Sequence, residues 1–170
     1  MLNRRACLLR LTPLLAAGLV AGCGFKLRGA QSFGFQTLAI TGPVGDISRE
    51  LRQAFGAQVR VLAPGEPLEQ AQLVLNLVQE QREKVVVGVN ASGQVREFQL
   101  RIRLKFELRT PQGRELLPVT EILQQRDITY NETAALAKER EEALLYQNMQ
   151  ADIVQQLLRR LSTVTYAVSP

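Results

Sequence analysis

One thiol and one row of basic side chains are the groups in this sequence whose placement could do chemistry. The thiol is Cys23, which directly follows Val20-Ala21-Gly22. Small residues running into a cysteine, after a basic and then an apolar stretch, mark a point for cleavage and covalent modification. The row is Arg101, Arg103 and Lys105, which an extended strand would present on one face at about 6.6 Å intervals. That spacing suits a row of anionic groups. It equally suits a solvated sheet face whose charges are balanced by Glu121 or Glu80 on neighbouring strands. The chain contains no histidine, which removes Ser-His, Cys-His and histidine-metal chemistry. It also lacks a GxSxG elbow, a Gly-rich phosphate loop and a paired metal-ligand motif. Its acids fall on alternating strand positions or in a helical charge run instead of flanking an apolar pocket. A binding or structural protein fits these residues, and an enzyme does not.

The elements that must position these groups begin with a leader. Arg4, Arg5 and Arg10 precede an apolar run from Leu11 to Val20 that Pro13 and Gly18 interrupt. The run is shorter than the roughly 20 residues needed to cross a bilayer, so residues 1–22 read as a cleaved secretory signal with Cys23 first in the mature chain. Cys7 leaves with the leader, and no intramolecular disulfide can form. The net charge of +5 falls to +2, with 18 basic against 16 acidic residues, once the three leader arginines are gone; nucleic acid is not implied. The site around Cys23 resembles the lipobox of bacterial lipoproteins. That resemblance implies a diacylglyceryl group on the thiol and a further acyl chain on the new amino terminus, with no other cofactor. Each buried methylene contributes about 0.8 kcal/mol, so several chains hold a protein on a membrane without spanning it. Gly24 stands where an aspartate would resemble an inner-membrane retention signal, which points to the outer membrane.

Beyond the anchor, residues 23–34 read as a tether, 35–165 as one domain and 166–170 as a tail. Gln36 to Thr41 is a short first strand. Asp46 can N-cap a helix carrying Ile47, Leu51, Ala54 and Phe55 on one stripe and ending at Gly56, followed by a brief extended piece at Val59 to Leu62. The strand, helix, strand order makes the first two strands parallel. Leu73, Leu75, Leu77 and Val85 to Val89 form the second strand, and Asn90-Ala91-Ser92-Gly93 a hairpin turn. In the next strand Phe98, Leu100, Ile102, Leu104, Phe106 and Leu108 face a core while Gln99 to Arg109 alternate outward. Residues 117–129 return as a fourth strand. Asn131 or Thr133 caps a long helix to about Leu161, whose first turns, Lys138 to Glu142, break the apolar stripe and protrude. The expected fold is α+β, a two-layer sandwich of a four-stranded mixed sheet with two helices on one face, the other face polar and uncovered.

Cys23-Gly24-Phe25-Lys26-Leu27-Arg28-Gly29 then acquires further meaning. Together with Gly93-Gln94 leading into Glu97-Phe98-Gln99, and Ala135-Leu136-Ala137-Lys138-Glu139, it resembles the lipopolysaccharide-assembly lipoprotein family LptE across the whole mature domain. The resemblance implies a plug and folding partner inside the lumen of the outer-membrane β-barrel LptD, placing lipopolysaccharide in the outer leaflet with no chemistry of its own. An accessory lipoprotein of another barrel or secretion machine shares the anchor but not the Cys-Gly-Phe-x-Leu-Arg opening. By motif Lys138 corresponds to a lipopolysaccharide-binding lysine; it equally fits a solvated helix charge paired with Glu142 at i+4. Arg101, Arg103 and Lys105 join it as candidates for lipid phosphates. The turn Asn90, Ala91, Ser92 and Gly93 is the candidate barrel-docking element. Ala91 departs from relatives with a basic residue there, and Arg96 or Arg82 would have to supply the missing charge.

Overall fold

The computed structural model describes residues 31–164. The leader, Cys23, most of the expected tether and the tail at 166–170 lie outside the described residues. The elements are β1 (Thr37–Thr41), α1 (Asp46–Phe55), β2 (Arg60–Val61), β3 (Leu73–Val89), β4 (Val95–Arg109), β5 (Glu115–Thr129) and α2 (Ala135–Ser162). They form a mixed sheet in the order β2-β1-β3-β4-β5, with both helices contributing to the core on one face. The expected α+β sandwich is present, with five strands where four were expected. The additional strand is the brief extended piece, whose two residues pair in parallel with Thr37 and Leu38 of β1. β1 also pairs in parallel with β3, and β3, β4 and β5 form an antiparallel meander.

The alternation in β4 sets the layers. Leu100, Ile102, Leu104, Phe106 and Leu108 are fully buried, packed with Ile47, Leu51 and Phe55 of α1 and Met149, Ile153, Leu157 and Leu161 of α2. Each such side chain contributes about 1.5–3 kcal/mol by leaving water, so this one layer supplies most of the folding drive. Packing starts earlier than residue 35: the Phe33 ring lies 5.2 Å from that of Phe55, inside the segment expected to be tether. The opposite sheet face is open over β3 to β5. At the β1 end, however, Ala39 and Val74 are buried with Leu62 and Ala71 from the β2 to β3 connection.

Two local details differ from the sequence reading. Gly45, not Asp46, is the N-cap of α1, and its N–H donates to Ser48 Oγ at 3.1 Å, half of a capping box. Asn131 caps a 3-10 turn at Glu132–Ala134 through a bond from the Thr133 N–H, and α2 starts after it. β1 ends at Gly42, where φ is +101° and an added Cβ would lie 2.0 Å from the Leu77 carbonyl oxygen; only glycine permits this approach of β1 to β3. No helix among the described residues is long and apolar enough to cross a membrane.

Candidate functional site

A register shift in β3 decides which cations meet. Between Leu77 and Gln79 the strand bulges at Val78, so Leu73, Leu75 and Leu77 face the helices, but beyond the bulge it is Glu80, Arg82, Lys84 and Val86 that do. A bulge places an extra residue in one strand and reverses the side-chain alternation after it. Glu80 therefore cannot balance Arg101, Arg103 or Lys105, as the sequence reading allowed, because it lies on the opposite face. It sits beneath the start of α1, where a Cβ on Gly45 would be 2.2 Å from its Oε2. Burial raises the Glu80 pKa above the usual carboxylate value, against the lowering effects of the Ile47 amide and the Arg82 charge.

On the open face, Arg103 pairs with Glu121 at 3.2 Å. Arg101 Nε donates to Gln99 Oε1 at 2.7 Å, and Gln99 donates in turn to Asp127 at 2.9 Å. Gln79, Gln81 and Glu83 form a second chain of bonds along β3. This surface is a half-buried hydrogen-bonded lattice, and within it Arg101 and Lys105 form no ion pair among the described residues. Arg103 is thus partnered as in the solvated-face reading, while Arg101 and Lys105 keep their charge uncompensated by direct contact.

The remaining candidates gather on the helix side, at the far end of the β3 to β4 hairpin. Lys138 Nζ donates to Thr129 Oγ1 at 3.0 Å and to Glu141 at 2.9 Å, so its partner is at i+3 and not Glu142. Glu142 instead pairs with Lys84 at 2.6 Å, a residue the sequence reading did not single out because the bulge hides its face. Lys84 Nζ also stands 4.4 Å above the Phe98 ring, and Phe98 meets Tyr130 edge-on at 5.4 Å. Lys84, Lys138, Phe98, Ile128 and Tyr130 line a pocket of about 200 Å³ under the first turn of α2. Arg96 shares the strand face of Phe98; its backbone oxygen accepts from the Tyr130 N–H at 2.8 Å, and among the described residues its guanidinium reaches only Gln94, at 3.4 Å. The pocket combines two ammonium groups and an apolar aromatic wall with the carboxylates of Glu139 and Glu142, so it has the chemistry of an anionic amphiphile once those acids give way to the incoming anion.

The hairpin turn is fixed by its own bonds. Asn90 Oδ1 accepts from the Ser92 and Gln94 amides at 3.1 and 2.9 Å, and the Gly93 N–H donates to the Asn90 oxygen at 2.9 Å. Ala91 is exposed, and no charged residue occurs from Val85 to Val95; Val86, Val87 and Val89 are 48%, 48% and 59% exposed. Arg82 does not serve this tip. It is held by Asp46 at 2.9 Å and Gln150 at 2.6 Å, with its guanidinium 5.6 Å from the Tyr146 ring, in a larger cleft of about 1030 Å³ between α1 and α2. Of the two arginines considered for the missing charge, only Arg96 stands near the turn. No group of three acidic or cysteine side chains suited to a metal occurs among the described residues.

Residues 35–161 match the family model for LptE, described as lipopolysaccharide-assembly. The chain is 28% identical over 155 residues to the LPS-assembly lipoprotein LptE of Pectobacterium atrosepticum, covering 88% of this chain and 82% of the relative. Among solved structures it resembles lipoprotein B of Nitrosomonas europaea, with a TM-score of 0.70 and 34% identity over 82% of this chain and 90% of that one. The rare lipoprotein B of Shewanella oneidensis shares the fold at a TM-score of 0.62 and 22% identity, covering 75% of this chain and 95% of that one.

Proposed function

This chain belongs to the LptE family of lipopolysaccharide-assembly proteins, and from that membership we propose that it works as an outer-membrane lipoprotein, a plug and folding partner of the LptD β-barrel that binds lipopolysaccharide during assembly. Acyl and diacylglyceryl groups on Cys23 hold it to the periplasmic side of the membrane while the folded body occupies the barrel lumen. It contributes binding and shape, not catalysis.

The observation that carries the lipid-binding part is the pocket that joins Lys138 and Lys84 to Phe98 and Tyr130. Lipopolysaccharide presents phosphates beside acyl chains, and ammonium groups beside an aromatic wall match that pairing. Both lysines already hold carboxylates, but each pair has one partly exposed member, and ion pairs open to water contribute only about 0–1 kcal/mol. A phosphate with more charge and more acceptor oxygens than a carboxylate can displace Glu141 or Glu142 at small cost. Arg96 and the stripe of Arg101, Arg103 and Lys105 extend the cationic surface on the two sides of the sheet.

Affinity purification of the full-length lipidated protein in mild detergent tests the reading. LptD and lipopolysaccharide are expected to copurify, and a different barrel in their place would move the protein to the accessory-lipoprotein class. Lys138→Glu should reduce the recovered lipopolysaccharide on the order of tenfold, since a charge-assisted hydrogen bond contributes about 1.5–3 kcal/mol. Recovery at the wild-type level would remove this pocket from lipid binding.

A further inference from the structure

We infer that the free edge of β5, from Glu121 to Thr129, receives an extended strand of the barrel subunit, adding it to the sheet as a sixth strand. The inference rests on the preceding reading that a barrel partner exists. β5 ends the strand order and has β4 on one side only. The direction of its amides follows from the register. The Tyr130 N–H donates to the Arg96 oxygen, and Thr129 stands opposite Glu97 with the pairing unbroken back to Thr120 opposite Phe106. In an antiparallel pair, hydrogen-bonded and non-hydrogen-bonded residues alternate. Ile122, Gln124, Arg126 and Ile128 therefore bond to β4, and the N–H and C=O groups of Glu121, Leu123, Gln125, Asp127 and Thr129 point away from it.

Sheet edges are commonly protected from further pairing by prolines, bulges and lysines. β5 carries such protection only in its first part, where Pro118 and a register shift opposite Phe106 and Leu108 interrupt the ladder. From Thr120 to Thr129 there is neither proline, lysine nor bulge; the charges there are Glu121, Arg126 and Asp127, and the Arg126 guanidinium donates to the Gln125 oxygen at 2.9 Å, a side-chain bond that an incoming strand would replace. Backbone groups in this arrangement select an extended peptide, because main-chain bonds supply the affinity and alternate side chains the choice of partner. Leu123, 43% exposed on the open face, offers such a strand an apolar neighbour.

A second copy of this chain fits poorly. In the two registers that overlap this segment most, antiparallel self-pairing centred on Gln124 sets Glu121 opposite Asp127, and centring on Gln125 sets Leu123 opposite Asp127. Like charges directly opposed are destabilising, and a leucine gives a carboxylate nothing. The edge therefore suits a strand of different sequence.

Two proline variants of the full-length lipidated protein test this, each purified in mild detergent alongside the wild type. Proline at an edge position whose N–H faces outward is tolerated by the sheet, whereas proline in the ladder is not. Gln125→Pro should keep the wild-type thermal transition and lose copurifying barrel on the order of tenfold or more, through one missing donor and a ring in the path of the incoming strand. Gln124→Pro, whose N–H bonds to β4, should lower the transition itself. Barrel recovery with Gln125→Pro equal to that of the wild type overturns the inference and leaves the function reading intact. Equal destabilisation by both prolines overturns the amide assignment and the inference with it. A photo-crosslinking amino acid at Leu123 should form an adduct with the barrel, and an adduct solely with a second copy of this chain refutes it. If the wild type itself brings down no barrel, the function reading fails first.

Discussion

Along α2, the half from Met149 to Leu161 places Met149, Ile153, Val154, Leu157, Leu158 and Leu161 in the core, while the half from Ala135 to Asn148 contains no fully buried residue and leaves Leu136 76% and Leu144 57% exposed. The same contrast runs through the sheet below. Packed with the one half lie Leu104, Phe106 and Leu108; beside the other lie Lys84 and Phe98. One half is held by apolar area removed from water. The other is held by bonds such as Lys138 to Thr129, Lys84 to Glu142 and the Tyr146 hydroxyl to the Glu83 oxygen, which contribute little net stability when solvent can compete. Under the proposed lipid-binding role, the difference separates folding from binding on one continuous helix: the groups that a ligand would re-partner are those whose present partners are cheaply exchanged.

Four substitutions test that division, beginning with the greatest loss. Ile102→Asp buries an unpaired carboxylate in the centre of β4, at a cost of several kcal/mol against a domain stability of about 5–15 kcal/mol. Thermal denaturation followed by circular dichroism should show no cooperative transition, and a preserved transition would mean that β4 does not face the helices. Leu157→Ala and Leu144→Ala remove the same atoms from the two halves of α2. The first should cost about 2–5 kcal/mol in urea unfolding and the second less than about 0.5 kcal/mol; similar losses would erase the contrast. The smallest effect is expected at Glu80, on the border between the halves. Its pKa is raised in the folded protein chiefly by burial, so the fold holds this proton more tightly than the unfolded chain does. Stability from this group is then present at low pH and lost as pH rises from the ordinary carboxylate value through the folded one. Glu80→Gln should accordingly raise the melting temperature at pH 7, with the gain shrinking as the pH is lowered toward 4.5. A lower melting temperature at pH 7 would show that attraction to Arg82 and the Ile47 amide outweighs the burial cost.

The packed half was legible from the amino-acid sequence because its signal is periodic. Six apolar residues at alternate positions in β4 and the spacing of Met149, Ile153, Leu157 and Leu161 define a strand and a helix whatever surrounds them. The open half was less legible for a physical reason: its groups acquire meaning from neighbours distant in sequence. Arg60 and Val61 become a strand only by pairing with β1, and two residues carry no periodicity. Lys84 and Glu80 change face because of one bulged residue at Val78, which leaves no local mark in a run of polar and β-branched residues. The pairing of Arg103 with Glu121 was readable as a cross-strand contact. That of Lys138 was not, because Glu141 and Glu142 both lie within reach on the helix and Lys84, from another strand, takes the second of them.

Gly42 bears on how far such a chain can drift from its relatives while keeping this shape. About seven positions in ten differ from the Pectobacterium protein, which is 28% identical, and a buried leucine can be exchanged for another apolar residue of similar volume at modest cost. The end of β1 has no such latitude. Its backbone angle and the Leu77 oxygen beside it reject any side chain at once, and accommodating even a methyl group would require the first strand to pull away from the third, taking with it the short second strand that pairs with nothing else in the sheet.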